Sequence, residues 1–187
     1  MKIDPVELHT PRLTIRPMTR EDGRELYQYL SLDEAVRYEP YEAQSEEECI
    51  HLALAREKSG GFWAVCLDGR MIGNLYFSRM TERLPGTWEM GYIFNPDFWG
   101  KGYATEAARA WMEYAFTTLK IRRILCFCDP ENTRSWRVME RLGMRRRKRI
   151  LRNVFFKIDP EGQPHWYDAY EYRMLRKTFL QQASQAV

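Results

Sequence analysis

The chain has 187 residues, 44 % of them apolar and 14 % aromatic, which suits one domain hiding roughly 70 % of its unfolded surface. Charged residues reach 29 % with both signs interspersed and a formal charge of only +3, a balance that excludes a disordered chain and argues against nucleic acid as the main partner. No apolar run approaches ~18 residues and the N-terminus lacks a signal-like stretch, so a membrane partner is not expected and the expected location is the cytoplasm.

Leu13 and Ile15 alternate with Arg12, Thr14 and Arg16, the period of a half-buried strand. Thr19 with Asp22 three positions on marks a helix start, and Ser45-x-x-Glu48 marks a second, which runs out at Gly60-Gly61. Phe62 to Leu67, Asp68-Gly69 and Met71 to Met80 form a hairpin signal. Thr87 to Phe94 reads as a further strand, closed by Asn95-Pro96. A glycine-bearing loop follows, then the cleanest amphipathic helix of the chain, with Ala104, Ala107, Ala108, Trp111, Met112, Ala115, Phe116 and Leu119 on one face.

Ile124 to Cys128 is the next strand, and Asn132 to Leu142 a helix closed by Gly143. Met144 to Ile158 and His165 to Leu175 complete the pattern, joined by the turn Asp159-Pro160-Glu161-Gly162. No linker, repeat or low-complexity segment divides the chain, so residues 1–187 are expected to form one α+β or mixed α/β domain with helices on both faces of a sheet. The polar tail 177–187 is expected to fray. Cys49, Cys66, Cys126 and Cys128 lack zinc spacing and the histidines His9, His51 and His165 are scattered, so no metal is expected and reduced thiols are.

The chemistry concentrates after Phe94. A strand ends, a loop with Gly100 and Gly102 turns, and a helix begins; glycines permit positive φ and close ligand approach, while the first helical turn offers free N–H groups and a positive dipole end. A phosphate is the natural guest, with Lys101 adding charge. A Walker A loop is excluded because Asn95 stands where its first glycine belongs, and a dinucleotide G-x-G-x-x-G because position 105 is Thr. A tight turn without a ligand is the competing reading of the same residues.

The run Trp99-Gly100-Lys101-Gly102-Tyr103-Ala104-Thr105-Glu106-Ala107 resembles motif A of the GNAT (GCN5-related) N-acetyltransferase superfamily, in its Rim-type branch of ribosomal-protein N-terminal acetyltransferases. Asn132-x-x-Ser135 followed by Val138-Met139-Glu140-Arg141-Leu142-Gly143-Met144 is similar to motif B of that branch, and Thr10-Pro11-Arg12-Leu13-x-x-Arg16 and Trp166-Tyr167-Asp168 to its start and end. The resemblance implies a mixed, mostly antiparallel sheet of about six or seven strands, and an enzyme that moves acetyl from acetyl-CoA to a primary amine in a ternary complex.

It further implies that main-chain groups of Ile93 and Phe94 meet the pantetheine arm, that the loop opened by Trp99 wraps the pyrophosphate with amides from Gly100, Lys101, Gly102, Tyr103, Ala104 and Thr105, and that Asn132 bonds the pantetheine. Ser135 is the candidate partner of the leaving thiolate, because the resemblance places this hydroxyl near the sulfur; the position aligned with the tyrosine that many members use holds Met139. Glu89, on the strand entering the loop where that branch often has an acid, is the candidate base and Asp168 a weaker one; the acid expected after motif B falls near Val154, which is no carboxylate. The acceptor is a protein N-terminus, such as that of a ribosomal protein, or a small amine; the oligomeric state is a monomer or homodimer. Two other readings compete: a sensor that binds acetyl-CoA without turnover, and a ribosome- or RNA-binding module built on the basic stretch 134–152. Solvation alone is the plainer account of that stretch.

Overall fold

The computed structural model describes residues 3–80, 85–158 and 162–185. Eight strands form one sheet in the order β1-β2-β3-β4-β5-β6-β8-β7. They are β1 (Leu8–His9), β2 (Leu13–Pro17), β3 (Phe62–Leu67), β4 (Arg70–Arg79), β5 (Thr87–Phe94), β6 (Arg123–Cys128), β7 (Arg145–Ile158) and β8 (Pro164–Leu175). Every neighbouring pair is antiparallel except β5 and β6, which run parallel. The mixed, mostly antiparallel architecture is as expected, with one or two strands more than the sequence suggested; β1, at two residues, is too short to leave a period.

On one face lie α4 (Tyr103–Thr117), α5 (Thr133–Arg141) and α6 (Arg176–Gln185). The apolar stripe of α4 buries Ala107, Ala108, Trp111, Met112, Ala115 and Phe116 against Trp63, Phe77 and Trp88 of the sheet. The other face carries α1 (Gly23–Leu30), the four-residue α2 (Asp33–Val36) and α3 (Glu46–Ser59), which bury Leu26, Tyr29, Leu30, Val36 and Ala53 together with Ile93 of β5.

Local signals fixed many boundaries. Thr19 and Asp22 bond reciprocally around a short 3-10 turn, and Ser45 and Glu48 form the reciprocal cap of α3, which ends on Gly60 at φ 64°. Asp68 (φ 50°) and Gly69 (φ 79°) make the two-residue turn of the β3–β4 hairpin. The tail departs from expectation: residues 176–185 form α6 because Phe179, 7 % exposed, packs on Phe116 at 5.1 Å. Residues 159–161 of the anticipated last turn, and 186–187, lie outside the described residues.

Candidate active site

The site grows from the one parallel pair. β5 and β6 are in register only at Thr87↔Arg123, Trp88↔Ile124 and Glu89↔Leu125, yet β5 continues to Phe94 and β6 to Cys128. Beyond Glu89 the two strands part. On the other side β5 stays paired with β4 up to Gly73↔Phe94, and Asn95 N–H donates to Ile72 C=O at 2.9 Å. Antiparallel bonding alternates, so Asn95, Ile93 and Gly91 turn their main-chain groups to β4 while Tyr92 and Phe94 turn theirs to the opening. Of the two anticipated pantetheine contacts, Phe94 therefore faces the gap; Ile93 does not, because its main chain is committed to Asn74. Tyr92 faces the gap with Phe94. Gly73 holds this edge close: a Cβ there would stand 2.6 Å from the Ile93 oxygen and 2.7 Å from the Phe94 ring.

The loop after β5 is braced from within. Asn95 Oδ1 accepts the Asp97 N–H (3.0 Å), and the Trp99 indole N–H donates to the Phe94 carbonyl (2.8 Å). Gly100 (φ 77°) and Gly102 (φ 84°) both take the left-handed conformation, and nothing lies within 4 Å of a Cβ placed at Gly100. The first bond of α4 runs from Glu106 N–H to Gly102 C=O (3.0 Å). The amides of Tyr103, Ala104 and Thr105 thus have no helical partner, and those of Gly100, Lys101 and Gly102 make no main-chain bond either.

Arg12 secures the loop from outside. Its guanidinium donates to the Lys101 carbonyl (3.1 Å) and to Glu106 (2.6 Å), and stacks on the Tyr103 ring at 4.5 Å. Holding that carbonyl turns the following Gly102 N–H the opposite way, because the peptide is planar. Thr10 adds a 2.6 Å bond to Glu106, whose carboxyl is partly desolvated but held below its usual range by these donors. The role of Thr10 and Arg12 is a feature sequence reasoning missed. Lys101 folds back, its ammonium 3.0 Å from the Asp97 carbonyl. The cations that flank the loop are instead Arg134, 4.4 Å from the centroid of the Trp99 ring, and Arg141, whose Nε donates to Thr105 Oγ1 at 3.3 Å.

Across the opening stands α5. Asn132 caps it by accepting the Ser135 N–H at 3.1 Å, leaving its own NH2 group for another partner. Ser135 Oγ lies 3.3 Å from the Tyr92 hydroxyl, which itself donates to the Ser135 carbonyl at 2.8 Å. Met139 is buried in the core, so no hydroxyl comes from that position. Glu89 sits at the last β5–β6 pair, and burial raises its carboxyl above the ordinary value. Ser135 and Glu89 make no bond to each other. Asp168 is occupied elsewhere: it accepts from the Arg152 main chain (3.0 Å) and twice from Arg149 (2.7 and 2.9 Å), which hold it in its ionised form.

The basic stretch is largely paired or stacked rather than presented as one face. Arg137 lies over Trp136 and Arg146 over Tyr170, while Lys148 meets Glu171 and Arg149 meets Asp168. Of the aromatic side chains around the sheet, Trp63 and Trp88 are core, whereas the Tyr41 hydroxyl accepts from buried Arg56 at 3.3 Å. All four cysteines are free. Among the described residues no group of three His, Cys, Asp or Glu could hold a metal, and no helix is long and apolar enough to cross a membrane.

A sheet that opens beside a glycine loop at a helix N-terminus is suited to an extended, phosphate-bearing ligand, and comparison with known proteins gives the chain a family. The acetyltransferase (GNAT) domain matches residues 12–145, and the chain belongs to that family of N-acetyltransferases, which use acetyl-CoA. It is 34 % identical over 181 residues to the uncharacterized N-acetyltransferase YnaD of Bacillus subtilis, covering 92 % of this chain and 98 % of that one. It is 28 % identical over 144 residues to the spermidine N(1)-acetyltransferase of Escherichia coli, 75 % and 77 % of the two chains. A GNAT acetyltransferase from Bacillus anthracis superposes with a TM-score of 0.79 at 33 % identity, over 92 % of this chain and 99 % of that one. These relatives do not single out the ribosomal-protein branch.

Proposed function

We propose that the chain transfers acetyl from acetyl-CoA directly to a cationic primary amine, a polyamine or a protein N-terminus, within a ternary complex. The observation that carries this reading is main chain left without a strand or helix partner at two neighbouring places, Tyr92 and the Phe94 N–H in the opening and the amides of residues 100–105 in the loop. The pantetheine arm adds to the free edge of β5 as a short strand, and the pyrophosphate takes the loop amides and the helix dipole. Arg134 and Arg141 supply positive charge beside that loop, and the Asn132 amide group reaches the arm from the opposite wall.

In the transfer step the amine nitrogen bonds to the acetyl carbon, the carbon–sulfur bond breaks, and its electron pair stays on sulfur. Glu89, directly or through water, takes the proton released by the amine; its raised pKa brings it nearer to neutral pH, where a base works best. The Phe94 N–H stabilises the oxyanion, a contribution of about 3–4 kcal/mol for a well-placed donor. Ser135 Oγ–H donates to the departing thiolate. Asp33, Glu34 and Glu42, with Arg37 among them, line an open cleft of about 570 Å³ on the face of the sheet that carries Glu89 and Ile93, and the excess of acids over that one cation supports a cationic acceptor.

Two measurements test the reading. Gly102→Glu places a carboxylate where phosphate is expected, and calorimetry should find acetyl-CoA binding abolished in a variant that keeps the wild-type circular dichroism; unchanged affinity would remove the site. Release of free CoA is then followed with spermidine, N-terminal peptides of ribosomal proteins and free amino acids as acceptors. Turnover with spermidine alone favours the polyamine, turnover with peptides alone the protein N-terminus, and silence with all of them despite tight binding establishes a sensor.

A further inference from the structure

Tyr92 has two attributes that the transfer chemistry above leaves unused. Its main chain faces the opening, and its side chain crosses that opening to α5, where one hydroxyl serves Ser135 twice: it donates to the Ser135 carbonyl at 2.8 Å and accepts from Ser135 Oγ at 3.3 Å. Ser135 N–H is meanwhile held by Asn132 Oδ1 at 3.1 Å. Backbone donor, backbone acceptor and side-chain oxygen of this serine are all constrained, which is unusual for a residue in the first turn of a helix, where hydroxyls ordinarily swing between solvent and main chain. The partner that constrains it lies 43 positions away on a different element.

The surroundings keep the arrangement in one protonation state. The groups facing Tyr92 are Cys126 and Cys128 from β6 and Arg141 from α5. Burial pushes the tyrosine well above its ordinary value, and burial likewise pushes Cys128 to about 12 and Cys126 higher still. Near neutral pH Tyr92, Cys126 and Cys128 are uncharged, so the Tyr92 hydroxyl has a single proton, committed to the Ser135 carbonyl, and can only receive the proton of Oγ. Toward Tyr92 the Ser135 hydroxyl, which also lies beside the Cys128 thiol, is consequently a donor, aligned before the coenzyme sulfur arrives.

We propose that Tyr92 is a positioning residue for acetyl transfer, its hydroxyl clamping Ser135 across the β5–β6 opening so that Oγ–H is ready to exchange its tyrosine partner for the leaving thiolate. This rests on the role given to Ser135 above. It also accounts for a core methionine at position 139: the aromatic hydroxyl enters from the strand rather than from the helix. No proton is taken from Tyr92; Oγ–H only changes the acceptor it points to.

The test needs no acceptor amine. CoA and desulfo-CoA are titrated calorimetrically into the wild type, Ser135→Ala, Tyr92→Phe and the double variant between pH 7 and 10. The wild type should gain affinity for CoA over desulfo-CoA as the thiol ionises. Each single variant should lose about fivefold of that preference, the worth of one ordinary hydrogen bond, while desulfo-CoA binds all four within twofold, which also certifies their folding. The double variant should be no worse than Ser135→Ala. If Ser135→Ala loses the preference and Tyr92→Phe keeps it, the clamp is overturned and the serine stands. If Ser135→Ala keeps it, the serine assignment falls and the clamp with it. Additive losses in the double variant would overturn the clamp as well, placing the effect of Tyr92 somewhere other than Ser135.

Discussion

Two carboxylates on the α1–α3 side of the sheet behave differently from the surface acids, and burial is the cause in both. Glu89 is raised by burial alone. Glu39 is pushed up by burial to about 7, against the pull of the Arg56 guanidinium and a hydrogen bond from Tyr41. It ends a polar chain in which Arg56 donates to the Tyr41 hydroxyl and to Asn74 Oδ1, which also accepts from Tyr29 at 2.7 Å. The folded state binds the Glu39 proton more tightly than the unfolded chain, whose value is near 4.5, so stability is full below that value and declines as pH rises through about 7. Glu39→Gln should flatten this decline: unfolding free energies from urea titrations between pH 4.5 and 8 should fall by roughly 1–3 kcal/mol less in the variant than in the wild type. Parallel curves would mean that Glu39 titrates normally.

At the scale of the element, the loop and α4 were legible because everything that shapes them is local. Glycines stand at the two positive φ positions and the apolar stripe repeats without a break. What holds the loop was not legible. Arg12 reaches Glu106 across 94 positions of sequence, a contact that exists only once β2 and α4 are packed. Register was hidden for the same reason: whether Ile93 or Phe94 faces the opening depends on the strand β5 pairs with, and the sequence of β5 alone is silent on it. Tyr92 was passed over because its hydroxyl finds α5 through that same opening. Arg12→Ala should free the Lys101 carbonyl and let the loop amides wander. We expect the Kd for acetyl-CoA to rise about tenfold, the effect of a lost charge-assisted bond, with the global fold retained. An unchanged Kd by calorimetry would show that the loop holds its shape alone.

For the molecule as a whole, the expected frayed end proved to be a helix anchored in the core by one residue. Polar composition suggested a tail, but one aromatic in the right phase is enough to dock a helix: Phe179 fills the space beside Phe116, and Arg176 donates to the Phe116 carbonyl at 2.7 Å. Phe179→Ala should cost about 3–4 kcal/mol by chemical denaturation, in keeping with large-to-small changes at buried aromatics, and a cost below ~1 kcal/mol would return the segment to the role of a tail. The parting of β5 from β6 has a consequence at this scale too. Unsatisfied main chain at a sheet's rim invites other polypeptides to join it. Here the vacancy lies in the interior, walled on both sides by continuing strands, and tapers to nothing at Glu89. A folded neighbour cannot bring a whole strand into such a wedge, whereas a slender chain bearing its own amides can slip in from the wide end, so the geometry proposed to receive the coenzyme also guards the protein against aggregating through it.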